Sequence, residues 1–295
     1  MSTDTLEHWG AQKTEATPKG PGELAAALLV ALAFSLAGRL AAPHLPYWAC
    51  AVTVPLALLT VLWAIRAVVG ARPTGLEVAA MMAVSLAGWA VLTLLPWKSV
   101  PTPTLQALRN LCLTVFGAGL GIAGARAVRD RNLLVPAGVF AAVIDIAVVY
   151  FGPTGRAVSK APEVVAQFSL HQSLPGTAAP PPGAPPGAAS LPPEVLYVGF
   201  LDVLLAAFML AALARFGLRV RPAFWQMVLW LSLVGLASVF LGLPIPGWPF
   251  IVLAALLPNR DQFHFSRQEK MAMAVATVAA VGIVILVLRA TARMW

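Results

Sequence analysis

Two carboxylates stand where a carboxylate is expensive. Asp145 lies in "FAAVIDIAVVYFGPTG" and Asp202 in "YVGFLDVLLAAFM", each inside an otherwise apolar run. An acid at the centre of a membrane helix costs about 2.5–3.5 kcal/mol on insertion scales and is a functional-site hypothesis by default. The chain has twelve Asp and Glu. Asp4, Glu7, Glu15 and Glu23 fall in or beside a polar N-terminal tail, Glu77 and Glu194 begin apolar segments, and Asp130, Glu163, Asp261 and Glu269 fall in loops. Asp145 and Asp202 are the two that remain, and no Lys, Arg or His lies at comparable depth to neutralise them. Two carboxyl groups a few ångströms apart cannot both ionise, so such a pair holds one shared proton. One member can then act as general base toward a water while the other protonates or polarises a carbonyl. The same pair could instead relay protons, or be buried carboxyls hydrogen-bonded to neighbouring helices.

The elements that carry them are membrane spans. The chain is 59% hydrophobic and 11% charged over 295 residues, and the bilayer is the solvent for such a composition. Apolar stretches of spanning length cover 23–42, 47–69, 76–96, 104–127, 133–151, 194–214, 222–241 and 271–290. A ninth, 247–258, has about 12 residues and is too short to cross comfortably. The expected fold is an all-α polytopic bundle of eight or nine spans. Its regions are a polar tail (1–22), a four-helix membrane region (23–131), a region holding both acids (132–258), and a loop with a C-terminal span (259–295). The tail lacks the basic start and small-residue cleavage site of a secretory signal, so the first span is read as uncleaved.

Charge sets orientation. Arg66 and Arg72, then Arg126, Arg129 and Arg131, then Arg215, Arg219 and Arg221 follow alternate spans, which makes those loops cytoplasmic and puts the N-terminus inside. The net charge of +8 sits at helix ends without interleaved aromatics, so nucleic acid is not an expected partner. Cys50 and Cys112 read as packed thiols, and no metal or cofactor motif surrounds them.

Depth pairs the acids. Asp145 precedes the Gly152-Pro153 break by seven residues, roughly 10 Å of helix, and Asp202 follows Pro193 by nine, roughly 13 Å. The two spans are consecutive and antiparallel, so the acids enter from one side and can face each other. The connection, 152–193, contains "LPGTAAPPPGAPPGAASLPPE" and reads as an extended tether outside the bilayer.

Around these acids the chain resembles the presenilin and signal peptide peptidase family of intramembrane aspartyl proteases. The family's first Asp follows a Tyr and precedes a Pro-Gly-rich exit; here Ile144 precedes Asp145, and Gly152, Pro153 and Gly155 supply the exit. The family's second Asp closes Gly-x-Gly-Asp; here Gly199-Phe200-Leu201-Asp202 keeps the first Gly and has Leu at the second. The family's Pro-Ala-Leu element resembles "LGLPIPG", in which Leu243 and Pro244 match, Gly242 stands for Ala and Leu241 for the first Pro. The three elements occur in family order across about 133–258. The resemblance implies a presenilin-like arrangement and hydrolysis of transmembrane substrates within the cell membrane. Asp145 and Asp202 would be catalytic, and Gly199, Leu243 and Pro244 would line the substrate, with no metal. At Gly199 the missing side chain would let another backbone approach. The residues by themselves leave two other readings open: a proton-coupled transporter or channel using the acids as a relay, and an inactive membrane scaffold.

Overall fold

The computed structural model describes residues 21–95, 100–150, 167–174, 195–241 and 245–293. Nine α-helices lie within them: α1 (Pro21–Ala41), α2 (Cys50–Gly70), α3 (Gly75–Leu94), α4 (Thr102–Ala127), α5 (Leu134–Tyr150), α6 (Phe200–Arg215), α7 (Val220–Leu241), α8 (Trp248–Leu256) and α9 (Arg267–Arg293). One antiparallel ribbon joins β1 (Ser169–Ser173) to β2 (Val195–Gly199). Six helical segments among the described residues are long and apolar enough to cross a membrane: Gly22–Ala41, Tyr47–Gly70, Gly75–Leu94, Thr102–Ala127, Arg131–Tyr150 and Val220–Leu241. The molecule is an all-α multi-pass membrane protein with one short ribbon.

Helix boundaries follow local chemistry. Thr74 and Glu77 form a capping box at the start of α3: Glu77 N–H donates to Thr74 Oγ1 at 3.3 Å, and Thr74 N–H to Glu77 Oε2 at 2.5 Å. Ser266 and Glu269 do the same for α9. Helix α6 ends in a Schellman turn. Gly217 takes φ 67°, and Leu218 N–H donates to the Leu213 carbonyl at 2.8 Å.

Helix α6 is the centre of the bundle. Val203, Leu205, Ala206, Ala207, Met209, Leu210, Ala212 and Leu213 are all buried and cover more than half of the helix circumference. It packs on α2, α4, α7 and α8. The α4 contact runs along Gly117 and Gly121, a small-xxx-small spacing that lets backbones approach closely. A Cβ on Gly121 would lie 2.5 Å from the Leu204 carbonyl oxygen and 2.6 Å from Phe208 N.

Basic loops gather at one end of the bundle. Arg215 donates to the carbonyls of Ala125 and Arg126 at 2.7 and 2.6 Å, satisfying the last turn of α4, and Arg126 donates to the Pro73 carbonyl. Asn259 is fully buried there. Its Oδ1 accepts the Arg219 N–H at 2.7 Å, and its Nδ2 donates to the Ala255 carbonyl at 2.9 Å. The exposed Arg219–Asp261 pair adds little, since such pairs contribute ~1 kcal/mol or less.

Three expectations change. The apolar run 194–214 is not one helix. Its residues Val195–Gly199 are β2, so α6 has 16 residues, roughly 24 Å, and Asp202 sits in its first turn. The 152–193 connection is not tether throughout, because Ser169–Ser173 pairs with β2; the Pro-Gly-Ala run itself lies outside the described residues. The short stretch 247–258 is α8, prolonged by a 3₁₀ helix over Leu257–Gln262, and it reaches from the level of Asp202 to the basic end at Arg219.

The α4–α6 approach gives a direct stability test. Replacing Gly121 by Ala should cost about 1–3 kcal/mol, because backbone rather than a flexible side chain must yield. Gly282→Ala, with open space around it, should be neutral or stabilising. Thermal unfolding of the two variants in detergent reads the difference.

Candidate active site

The two acids converge on one dipeptide. Trp248 N–H donates to Asp145 Oδ2 at 2.9 Å, and Gly247 N–H is directed at the same carboxylate. Asp202 Oδ1 lies 3.0 Å from where a Gly247 Cβ would stand, and the Trp248 indole N–H faces the Asp202 carboxyl. Standard backbone dimensions then hold the two carboxylates within about 10 Å of each other. Each acid is half-buried. Neither has an ion-pair partner among the described residues.

Each element aims its acid for a local reason. On α5, Gly138 lies two turns before Asp145 and therefore on the same face. A Cβ there would meet Val252 Cγ1 at 2.7 Å and Met209 Cε at 3.0 Å, so Gly138 seats that face of α5 against α8 and α6. On α6, Asp202 is the third helical residue and Gly199 the N-cap. Asp202 Oδ2 accepts the Gly199 N–H at 2.9 Å, the return half of a capping interaction, which leaves Oδ1 turned toward Gly247. On α8, Pro249 has no N–H, while Phe250 and Ile251 donate to the Gly247 carbonyl. The Trp248 N–H is thus the orphan donor of the first turn, and Asp145 takes it. A carboxylate at that helix start is further favoured by the helix dipole.

The expected geometry is altered in two respects. Helices α5 and α6 were expected to present the acids directly to each other; α8 stands between them and contacts both. Gly199 was expected to admit a second backbone. It admits its own Asp202 instead: a Cβ there would lie 2.9 Å from Asp202 Oδ2. Its φ of −60° is ordinary, so space rather than backbone freedom is what glycine supplies. Leu243 and Pro244 lie outside the described residues. Among the described residues no group of three or more His, Cys, Asp or Glu could hold a metal ion.

Gly247 and Trp248 were missed. Gly247-Trp248-Pro249 is nonetheless a helix-start pattern, with Pro inside the first turn. Such a start always leaves donors to be satisfied.

The Trp248 hydrogen bond predicts an order of stabilities. Asp145→Asn keeps an acceptor oxygen and should unfold close to the unaltered protein. Asp145→Leu leaves a backbone donor unsatisfied and should lose about 1–3 kcal/mol, read by thermal unfolding in detergent.

No protein-family model matches the chain, and neither a curated protein nor a solved structure shows significant similarity to it.

Proposed function

We propose that this protein is an intramembrane aspartyl protease that hydrolyses peptide bonds of transmembrane substrates with Asp145 and Asp202 as the catalytic dyad. The observation that carries the reading is the convergence of two carboxylates, without a cation between them, on the donors of Gly247 and Trp248. One shared proton serves both chemical roles. The ionised member accepts a proton from the attacking water, and the protonated member donates to the scissile carbonyl oxygen. The pair titrates as a unit, so acid and base are roles of the dyad and not of one residue. The ordered resemblance to the presenilin and signal peptide peptidase family supports the same reaction.

The ribbon supports a mode of substrate binding. His171 N–H and carbonyl are engaged by Asn110 on the outer side of β1, so the opposing Tyr197 backbone is turned away from β1. Tyr197 and Gly199 therefore point their backbone groups to the outer edge of β2, the edge from which Asp202 takes the Gly199 N–H. An unwound substrate segment adding to that edge would pass the dyad with its backbone extended. An extended backbone also exposes its carbonyls, which a transmembrane helix does not.

Counting α6 and α9 as crossings gives eight, and the prolonged α8 makes nine, in a presenilin-like arrangement. Collection of Arg126, Arg215 and Arg219 at one end of the bundle supports a cytoplasmic location for that end, a cytoplasmic N-terminus, and a long connection on the outer side.

Purified protein in lipid nanodiscs should cleave a transmembrane peptide. Asp145→Asn and Asp202→Asn should each abolish cleavage while leaving the fold intact. Gly247→Ala, which presses a methyl onto Asp202 Oδ1, should lower kcat by about 10- to 100-fold, as a misplaced reacting group does. Cleavage retained in either Asn variant rejects the mechanism, and proton-coupled uptake into liposomes would favour a relay.

A further inference from the structure

We infer that Asn110 is a positioning residue: it stands in for a third strand on the outer edge of β1 and so holds the β2 edge in place beside Asp202. The inference rests on the protease reading for its catalytic consequence but not for its structural one.

Asn110 lies in the interior of α4, about two turns from its start, and is 7% exposed. Its side-chain amide makes both bonds that a neighbouring strand would make to His171. Oδ1 accepts the His171 N–H at 3.0 Å, and Nδ2 donates to the His171 carbonyl at 2.7 Å. The carbonyl and N–H of one residue fix which end of the amide points where. The second Nδ2 proton goes to Ser35 Oγ of α1 at 3.1 Å, and Arg39 of α1 donates to the same His171 carbonyl at 3.3 Å. Thr114 Oγ1 donates to the Asn110 carbonyl at 2.8 Å.

A buried Asn in an apolar helix is commonly interhelical glue. Here one of its three side-chain bonds reaches another helix, and two reach the ribbon. The route from there to the dyad is short. His171 opposes Tyr197 in the ribbon; Tyr197 lies two residues before Gly199; and Gly199 N–H holds Asp202. Leu174 and Leu196 pack the ribbon onto Cys50, Val54 and Leu58 of α2, so hydrophobic contact fixes its face. A buried face sets which residues point inward, but it leaves the outer edge of β1 unpaired. The Asn110 amide satisfies that edge at His171. A cavity of about 30 Å³ beside Ser35, Asn110, Thr114 and His171 is roomy enough for water to replace a truncated side chain. The informative variant is therefore Asn110→Leu, which keeps the branched side-chain shape and removes both bonds to His171 along with the one to Ser35.

The test compares the full chain, Asn110→Leu and Asn110→Asp in nanodiscs. Hydrogen exchange reads the backbone of 169–173, and cleavage of a transmembrane peptide reads KM and kcat. Asn110→Leu should speed exchange in 169–173 by about tenfold or more, leave exchange in α6 unchanged, and raise KM by about tenfold with kcat within threefold. Asn110→Asp keeps the acceptor for His171 N–H, loses the donor to its carbonyl, and should fall between. Unchanged exchange in Asn110→Leu overturns the clasp, and faster exchange with unchanged KM overturns the positioning role. If the unaltered protein binds the peptide without cutting it, the protease reading fails. Photocross-linking of the peptide to residues 195–199 then decides the inference: loss in Asn110→Leu upholds it, and unchanged cross-linking overturns it.

Discussion

The structure turns on one orphaned donor. The first turn of α8 offers the Trp248 N–H with no backbone acceptor of its own, in surroundings where an unmet donor costs free energy. Asp145 meets it from α5. Asp202, whose other oxygen is tied to Gly199, reaches Gly247 from α6. Helix α8 is only nine residues long, and propensity alone would not keep so short a helix formed. It is held at its start by Asp145 and past its end by Asn259, which grips the Arg219 backbone. The acids are thereby part of what keeps the element in place. The arrangement that could do chemistry is also one that the fold needs.

Glycine and asparagine set the distances around it. Gly121, Gly138 and Gly247 each lack a side chain where backbone, packed side chains and a carboxylate, respectively, must come close. Asn110 and Asn259 each use one amide to satisfy the N–H and carbonyl of a single residue, His171 and Arg219, at opposite ends of α6. In an apolar bundle, such bidentate amides replace backbone ladders at points where regular structure ends. Apolar packing of α6 supplies the bulk of the burial, and these few polar contacts supply its register.

Composition and apolar run length made the membrane class legible, and the sorting of acids by depth singled out Asp145 and Asp202. The element joining them was not legible. The stretch 247–258 is too short to cross comfortably, and span length says nothing of the donors at its start, which define the site. Nor did β2 stand out. "VLYVG" is rich in strand-favouring residues, but it adjoins sixteen more residues of apolar helix, and a window of spanning length absorbs it. Its partner "SLHQS" is polar and lies inside a Pro-Gly-rich connection, so only a contact over some 25 residues of chain reveals the pairing. Gly199 was noticed for the right reason, space, and assigned the wrong occupant. Asn110 carries no local pattern at all; its role depends on where β1 arrives.

The central claim is spatial: Asp145 and Asp202 share one place at the start of α8. It is tested most directly by Asp145→Cys/Asp202→Cys in a chain whose Cys50 and Cys112 are replaced by Ser, treated with a short bifunctional thiol reagent in nanodiscs. An intramolecular bridge should form in high yield and protect both thiols from later labelling. Two thiols that label independently and stay unbridged would contradict it.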